Sequence, residues 1–162
     1  MEGYSTISVV SSVGHIVTYS EGIRLSLDDL NAVEKYNVWQ AYGQSKLANI
    51  LFANELAARL FDSKVLVNSI HPGGVYTKSL ARNLSLKSAF GHWLAKKCLF
   101  DGDTGALTQV FAAVSPEILS KRITAEYFVP LLKGGTSDFV RNKKLQRDLW
   151  TFTEEIIKSK GF

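Results

Sequence analysis

A chain of 162 residues, 46% hydrophobic and 21% charged, fits one globular domain and excludes a disordered, collagen-like or low-complexity polymer. Nineteen Lys and Arg against fifteen Asp and Glu leave a formal charge of +4. The basic residues are scattered, not gathered into the stripe that nucleic acid requires.

A single cysteine, Cys98, rules out a disulfide framework and a cysteine-pair zinc site. No apolar run approaches the ~20 residues that span a bilayer. The start, Met1-Glu2-Gly3-Tyr4-Ser5, lacks the basic and apolar regions of a secretory signal. The expected setting is therefore soluble, reducing and cytoplasmic.

In chain order, Thr6–Ser12 (TISVVSS) is a β-branched run with consecutive apolar residues, which predicts a strand covered on both faces. Residues 13–36 are polar and irregular, with a helical turn at 25–30. From Ala41 to Phe61 the apolar residues adopt helical spacing in an Ala-rich background, predicting a long helix. Val65–Ile70 reads as a second buried strand, ended by His71-Pro72-Gly73-Gly74. Strand, helix and strand make a βαβ crossover in a parallel sheet. A helix over 104–114 stopped near Pro116, a third strand over Thr124–Val129 and a helix over 142–158 complete an α/β layered sheet with at least three parallel strands.

Ligands of such sheets bind outside the carboxyl ends of the strands. Ser11-Ser12-Val13-Gly14 ends the first strand, and Tyr42 and Lys46 lie one turn apart on one face of the long helix. A phenol is a poor base at neutral pH, and a nearby ammonium favours the phenolate. A strand-end hydroxyl such as Ser12 can orient a carbonyl. The trio suits proton transfer at a carbonyl or alcohol oxygen rather than acyl transfer, since neither serine sits in a Gly-x-Ser-x-Gly elbow.

The segments VVSSVGH (9–15), YGQSKLANILFANELA (42–57) and NSIHPGGVYT (68–77), in that order, resemble the short-chain dehydrogenase/reductase family, in particular its retinol-dehydrogenase-like branch. EYFVP (126–130) and LQRDLWTFTEEI (145–156) extend the resemblance to nearly the whole chain. It implies a fold that is the carboxyl-terminal part of a Rossmann-type doubly wound parallel sheet, about three strands with flanking helices. It also implies NAD- or NADP-dependent chemistry on an alcohol, aldehyde or ketone. By the same resemblance Tyr42 is the acid/base and Ser12, preferred over Ser11 for its spacing to Gly14, orients the substrate. Lys46 assists the tyrosine and bonds the nicotinamide ribose. Pro72, Gly73, Val75 and Thr77 line the nicotinamide.

The family's amino-terminal half, with its Gly-rich pyrophosphate turn, has no counterpart, and no Gly-x-Gly-x-x-Gly occurs in the chain. Residues 1–162 are therefore expected to be a truncated domain lacking the dinucleotide-binding half, with an apolar sheet edge at the first strand that favours marginal stability or a homo-oligomer. The rival expectation is a non-catalytic remnant, or an incompletely assembled gene product, that associates through the long helix or the open edge.

Asp103-Thr104-Gly105 spells the aspartic-protease triplet, but capping of the following helix by Asp103 or Thr104 explains it better. His15, His71 and His92 lack metal-ligand spacing, and His71 is expected to satisfy a hydrogen bond at its strand end. Residues 86–100 combine Leu86, Phe90, Trp93, Leu94 and Leu99 with lysines, as a substrate lid, a membrane-surface contact or a helix packed on the core would. Trp39, Phe90 and Trp93 near the expected mouth suggest a hydrophobic substrate.

Overall fold

A computed structural model describes residues 3–31, 35–76, 99–130 and 132–161. Thr77, Phe90, His92, Trp93 and Cys98, and with them most of the 86–100 segment, lie outside the described residues. Four strands form one sheet in the order β1 (Ser5–Val10), β2 (Val65–Ile70), β3 (Tyr127–Val129) and β4 (Leu132–Lys133). β1 and β2 pair in parallel over six residues, from Ser5 opposite Val65 to Val10 opposite Ile70. β3 joins β2 in parallel, and β4 folds back antiparallel on β3.

Helices cover both faces of the sheet. Between β1 and β2 run the short α1 (Leu27–Asn31) and the long α2 (Val38–Arg59). Asn37 caps α2, its side-chain oxygen accepting the Trp39 and Gln40 N–H groups at 3.0 and 3.1 Å. That cap explains why the helix starts three residues before the apolar period does. α3 (Gly102–Val114) and α4 (Pro116–Ser120) follow β2, and α5 (Asp138–Arg141) and α6 (Lys143–Ser159) follow β4. Pro116 ends one helix and opens the next, since its missing N–H is no loss in a first turn. α3 is capped by Asp101, whose carboxylate accepts the Thr104 N–H at 2.7 Å, and not by Asp103 or Thr104.

One face of the sheet meets α2, where Leu47, Ile50 and Leu51 are fully buried against Ile23, Tyr127 and Val140. Ala53 and Ala57 pack on Val67, their small side chains allowing the helix to lie close to the strand. The other face meets α3 and α4, with Leu66, Ile70 and Phe128 against Ala112 and Ile118. Each such aliphatic side chain contributes about 1.5–3 kcal/mol on burial. α6 covers the flank of α2, with Trp150 stacked on Phe52 at 5.7 Å and the Arg59 guanidinium 4.3 Å from the same indole.

Two sequence expectations change. β1 is covered on both faces only in part: the Thr6 hydroxyl donates to the Ala113 carbonyl of α3 and Val9 packs against Ala53 and Ala57 of α2, yet Ile7 and Val10 remain 37% and 43% exposed, and among the described residues β1 pairs only with β2. The third strand begins at Tyr127, not Thr124. Ala125 takes a left-handed backbone conformation (φ 59°), which breaks the extended run. Side chains supplement the ladder there, which keeps the Ala125 N–H to Val67 carbonyl and Ser69 N–H to Glu126 carbonyl bonds. The Thr124 hydroxyl meets both the N–H and the carbonyl of Val67, and Asn68 donates to the Ile123 carbonyl while accepting the Glu126 N–H.

The end of β1 is locked to α2. Past Val10 the chain makes a 3-10 turn at Val13–Ile16. The Ser11 hydroxyl, 2% exposed, donates to the Lys46 carbonyl at 2.7 Å, and the Asn49 amide donates to the Val10 carbonyl at 2.9 Å. Gly43 sits against the turn itself. A side-chain carbon added there would overlap the Val17 carbonyl and approach the Gly14 carbonyl oxygen to 2.8 Å. Only a glycine lets the helix backbone touch the turn backbone.

Gly43→Ala tests this seating. Alanine in a helix interior is normally better than glycine by about 1 kcal/mol. Here overpacking against backbone, which costs about 1–3 kcal/mol, reverses the sign. A lowered urea midpoint with an unchanged slope is expected, and an unchanged or raised midpoint would show that α2 does not rest on the turn.

Candidate active site

The seating of α2 brings three of the predicted residues to one place, at the carboxyl end of β1. Ser12 begins the 3-10 turn in extended conformation, and its hydroxyl oxygen accepts the Gly14 N–H at 3.1 Å. That bond uses a lone pair and leaves the hydroxyl proton free to be given elsewhere. Tyr42, in the first turns of α2, lays its ring over Gly14. The position a Gly14 side-chain carbon would take is 2.7 Å from Tyr42 Cε1 and 3.5 Å from Ser12 Oγ. Glycine at 14 therefore clears the space in which serine and tyrosine meet.

Lys46, one helical turn on, is half-buried, with its Nζ 5.7 Å from the centre of the Tyr42 ring. This is within cation–π reach and adds positive charge beside the phenol. Tyr42 is 45% exposed, and Ser12 and Lys46 are half-buried beside it. Ser11 takes no part in the trio, because its hydroxyl is committed to the Lys46 carbonyl.

Pro72, Gly73 and Val75 follow the carboxyl end of β2, the neighbouring strand. Gly73 has φ 86°, and a side chain there would meet the Phe100 ring at 2.7 Å and Pro130 Cγ at 3.0 Å. Val75 forms a bridge with Phe100, through Tyr76 N–H to Phe100 O and Phe100 N–H to Gly74 O, both 2.8 Å, and packs on Gly105 of α3. Ser12 stands past the corresponding end of the paired strand β1, with Tyr42 beside it. Pro72, Gly73 and Val75 share with them that end of the sheet. A cavity of about 360 Å³ bordered by Asn54, Tyr127, Arg141 and Gln146 lies farther along α2 and includes none of Ser12, Tyr42 and Lys46.

Residues that spacing did not single out shape the site from behind. Gly43 and Asn49 set the height and register of α2. His15, fully buried, lies edge-on to the Tyr127 ring at 5.2 Å. The Tyr127 phenol is pushed up by burial and, secondarily, by Tyr42. His71 differs from expectation. Its backbone N–H bonds the Phe128 carbonyl, but its ring Nδ1 is buried with no hydrogen-bond partner among the described residues. Burial pushes the pKa of both imidazoles below 6.5; for His71 the proximity of His15 adds to it.

Those two rings carry a pH signature. Each protonates at its ordinary value of 6.5 once unfolded but resists protonation in the fold, so the unfolded chain binds more protons as pH falls. Their stability contribution is whole above pH 6.5 and declines as pH drops below it. Thermal melts followed by circular dichroism should show a falling Tm between pH 6.5 and 5. A constant Tm across that interval would mean the rings are accessible.

Comparison with known proteins follows the same lines. No family model matches the chain. It is 33% identical over 156 residues to the chloroplastic short-chain dehydrogenase TIC 32 A of Brassica napus, a match covering 93% of this chain and 46% of that protein. Retinol dehydrogenase 14 of Homo sapiens is 34% identical over 159 residues, covering 94% of this chain and 44% of that protein. Among solved structures, an uncharacterized protein from Mycobacterium paratuberculosis superimposes with a TM-score of 0.64 at 26% identity, over 96% of this chain and 51% of that one. The chain spans about half the length of the curated relatives it matches. With dehydrogenase relatives aligned along nearly all of it, and an α/β sheet that carries serine, tyrosine and lysine at its carboxyl end, the chain belongs to the short-chain dehydrogenase/reductase family.

Proposed function

We propose that the chain is the catalytic, carboxyl-terminal part of an NAD(P)-dependent oxidoreductase that interconverts an alcohol and a carbonyl on a hydrophobic small molecule. The observation that carries this reading is the convergence of Ser12 Oγ and the Tyr42 ring on Gly14, with the Lys46 ammonium 5.7 Å from that ring. Relatives with retinol dehydrogenase among their names support the substrate class, as do the exposed Val13 and Trp39 beside the trio in the chain.

The residues present suit the nicotinamide end of a dinucleotide. Lys46 supplies a donor for a ribose hydroxyl, and the Pro72–Val75 segment, turned by Gly73, supplies a wall at the end of the neighbouring strand. The resemblance gives Thr77, outside the described residues, a part in holding the nicotinamide. The pyrophosphate grip is not among the chain's motifs, since it contains no Gly-x-Gly-x-x-Gly. When bound, the cofactor supplies or accepts the hydride.

The chain's own groups handle the proton and the charge. In reduction the Ser12 hydroxyl, already oriented by the Gly14 N–H, donates to the carbonyl oxygen and polarises it. Tyr42 gives its proton to the oxygen as negative charge develops there, and in oxidation it takes the proton back. Lys46 stabilises the tyrosine oxygen while it is negative. Because Ser12 and Tyr42 stand on elements fixed to each other, the oxygen is met by both at once, without reorganisation.

Titration of the 162-residue chain with NADH and NADPH, read by cofactor fluorescence, tests the reading. Binding is expected, and none at millimolar cofactor excludes turnover by this chain. Where turnover is measured, Tyr42→Phe should lower it at least ~100-fold while leaving cofactor affinity unchanged.

A second reading rests on the free edge of β1, with Ile7 and Val10 exposed. A strand with unpaired N–H and carbonyl groups is a template for another strand. On this reading the chain acts by association, and sedimentation should show a concentration-dependent dimer or larger species that Ile7→Lys disperses. A monomer at every concentration removes it.

A further inference from the structure

His15 has no solvent exposure, yet nothing in the proton chemistry above uses it. Its Nδ1 lies 2.8 Å from the Ser12 carbonyl oxygen. A carbonyl only accepts, so Nδ1 carries a proton. Its Nε2 lies 3.4 Å from the backbone nitrogen of Ser137, which only donates, so Nε2 is bare. Two backbone partners of fixed polarity therefore select one neutral tautomer out of the two available.

The same carbonyl also accepts the His15 backbone N–H at 3.1 Å, so the ring bond doubles the closure of the turn. Ser12 is then held at three points. Its neighbour Ser11 is tied to α2, its hydroxyl to Gly14, and its carbonyl to the imidazole. Of these, only the imidazole reaches across the molecule, to the residue that precedes α5. Around the ring stand Tyr127 of β3 and His71 at the end of β2, neither of which presents a negative charge that would favour an imidazolium.

We infer that His15, as the Nδ1–H tautomer, is a positioning residue for Ser12, bracing the turn that holds the Ser12 hydroxyl beside Tyr42 against the segment at Ser137. This rests on the oxidoreductase reading for its purpose, though not for its geometry. A substitution that keeps a donor at the δ position should preserve the turn, and one that keeps only the bulk should not. Asn meets the first condition and Leu the second.

The experiment is long-range proton–nitrogen NMR on the uniformly labelled full chain at pH 7.5, with His15→Asn and His15→Leu compared by amide and aromatic spectra. The expected result is a His15 ring protonated at Nδ1 and bare at Nε2. His15→Asn should keep the Ser12 and Gly14 amide and Tyr42 ring resonances near their original positions. His15→Leu should shift them while leaving Ala112 and Ile118, across the sheet, in place. An Nε2–H tautomer or an imidazolium at that pH overturns the proposal, as do equal shifts in both variants or none with Leu. If His15→Leu does not fold, the tautomer in the unsubstituted chain still decides. Failure of the oxidoreductase reading would show separately, as absent cofactor binding with these spectra unchanged.

Discussion

Helix α2 meets the turn after β1 at backbone distance, and most of what is distinctive in this molecule depends on that contact. Gly43 faces the carbonyls of Val17 and Gly14 with no side chain between them. The Ser11 and Asn49 hydrogen bonds then fix how far the helix can slide along the strand. A helix held at ordinary side-chain separation from the turn would place Tyr42 some ångströms from where it now crosses Gly14. The burial of Leu47, Ile50 and Leu51 supplies the driving force for docking α2. Glycine and the two polar bonds decide where it stops.

The division between apolar driving force and polar placement recurs through the fold. Between β2 and the approach to β3, Thr124 and Asn68 add side-chain bonds to the remaining backbone ones. Together they let the chain turn through Ala125 with the backbone donors of Val67, Ala125 and Glu126 all satisfied. On the other flank, Trp150 lies between Phe52 and Arg59, which ties the last helix to the middle of α2. α2 is thus fixed at its start to the turn after β1 and farther along to the last helix.

Elements with a strong period were legible from the sequence. β2 matches its expected bounds, since six consecutive residues of a doubly covered strand leave no ambiguity. The Tyr42-x-x-x-Lys46 spacing and the strand-end serines were legible too, because helical geometry converts spacing directly into a shared face. What escaped depended on distances that no spacing encodes. No spacing marks Gly43, because its part is a backbone approach to Val17 and Gly14. His15 carries no metal-ligand spacing, and its bond to the carbonyl three residues back is not encoded in any periodicity. The start of the third strand was misplaced because Thr124 is β-branched, and its side chain does the pairing that its backbone does not. β4, two residues long, carries no period at all.

The rigid coupling of α2 to its turn also bears on how such a site could diversify. Tyr42 cannot shift relative to Ser12 unless residues 13–17 travel with the helix, so the two behave as one body. Any change of shape around the pair must then come from segments that neither seat α2 nor fix it to the strand. On the proposed oxidoreductase reading, the proton chemistry would belong to that one body and selectivity to segments that leave the Ser12–Tyr42 geometry untouched.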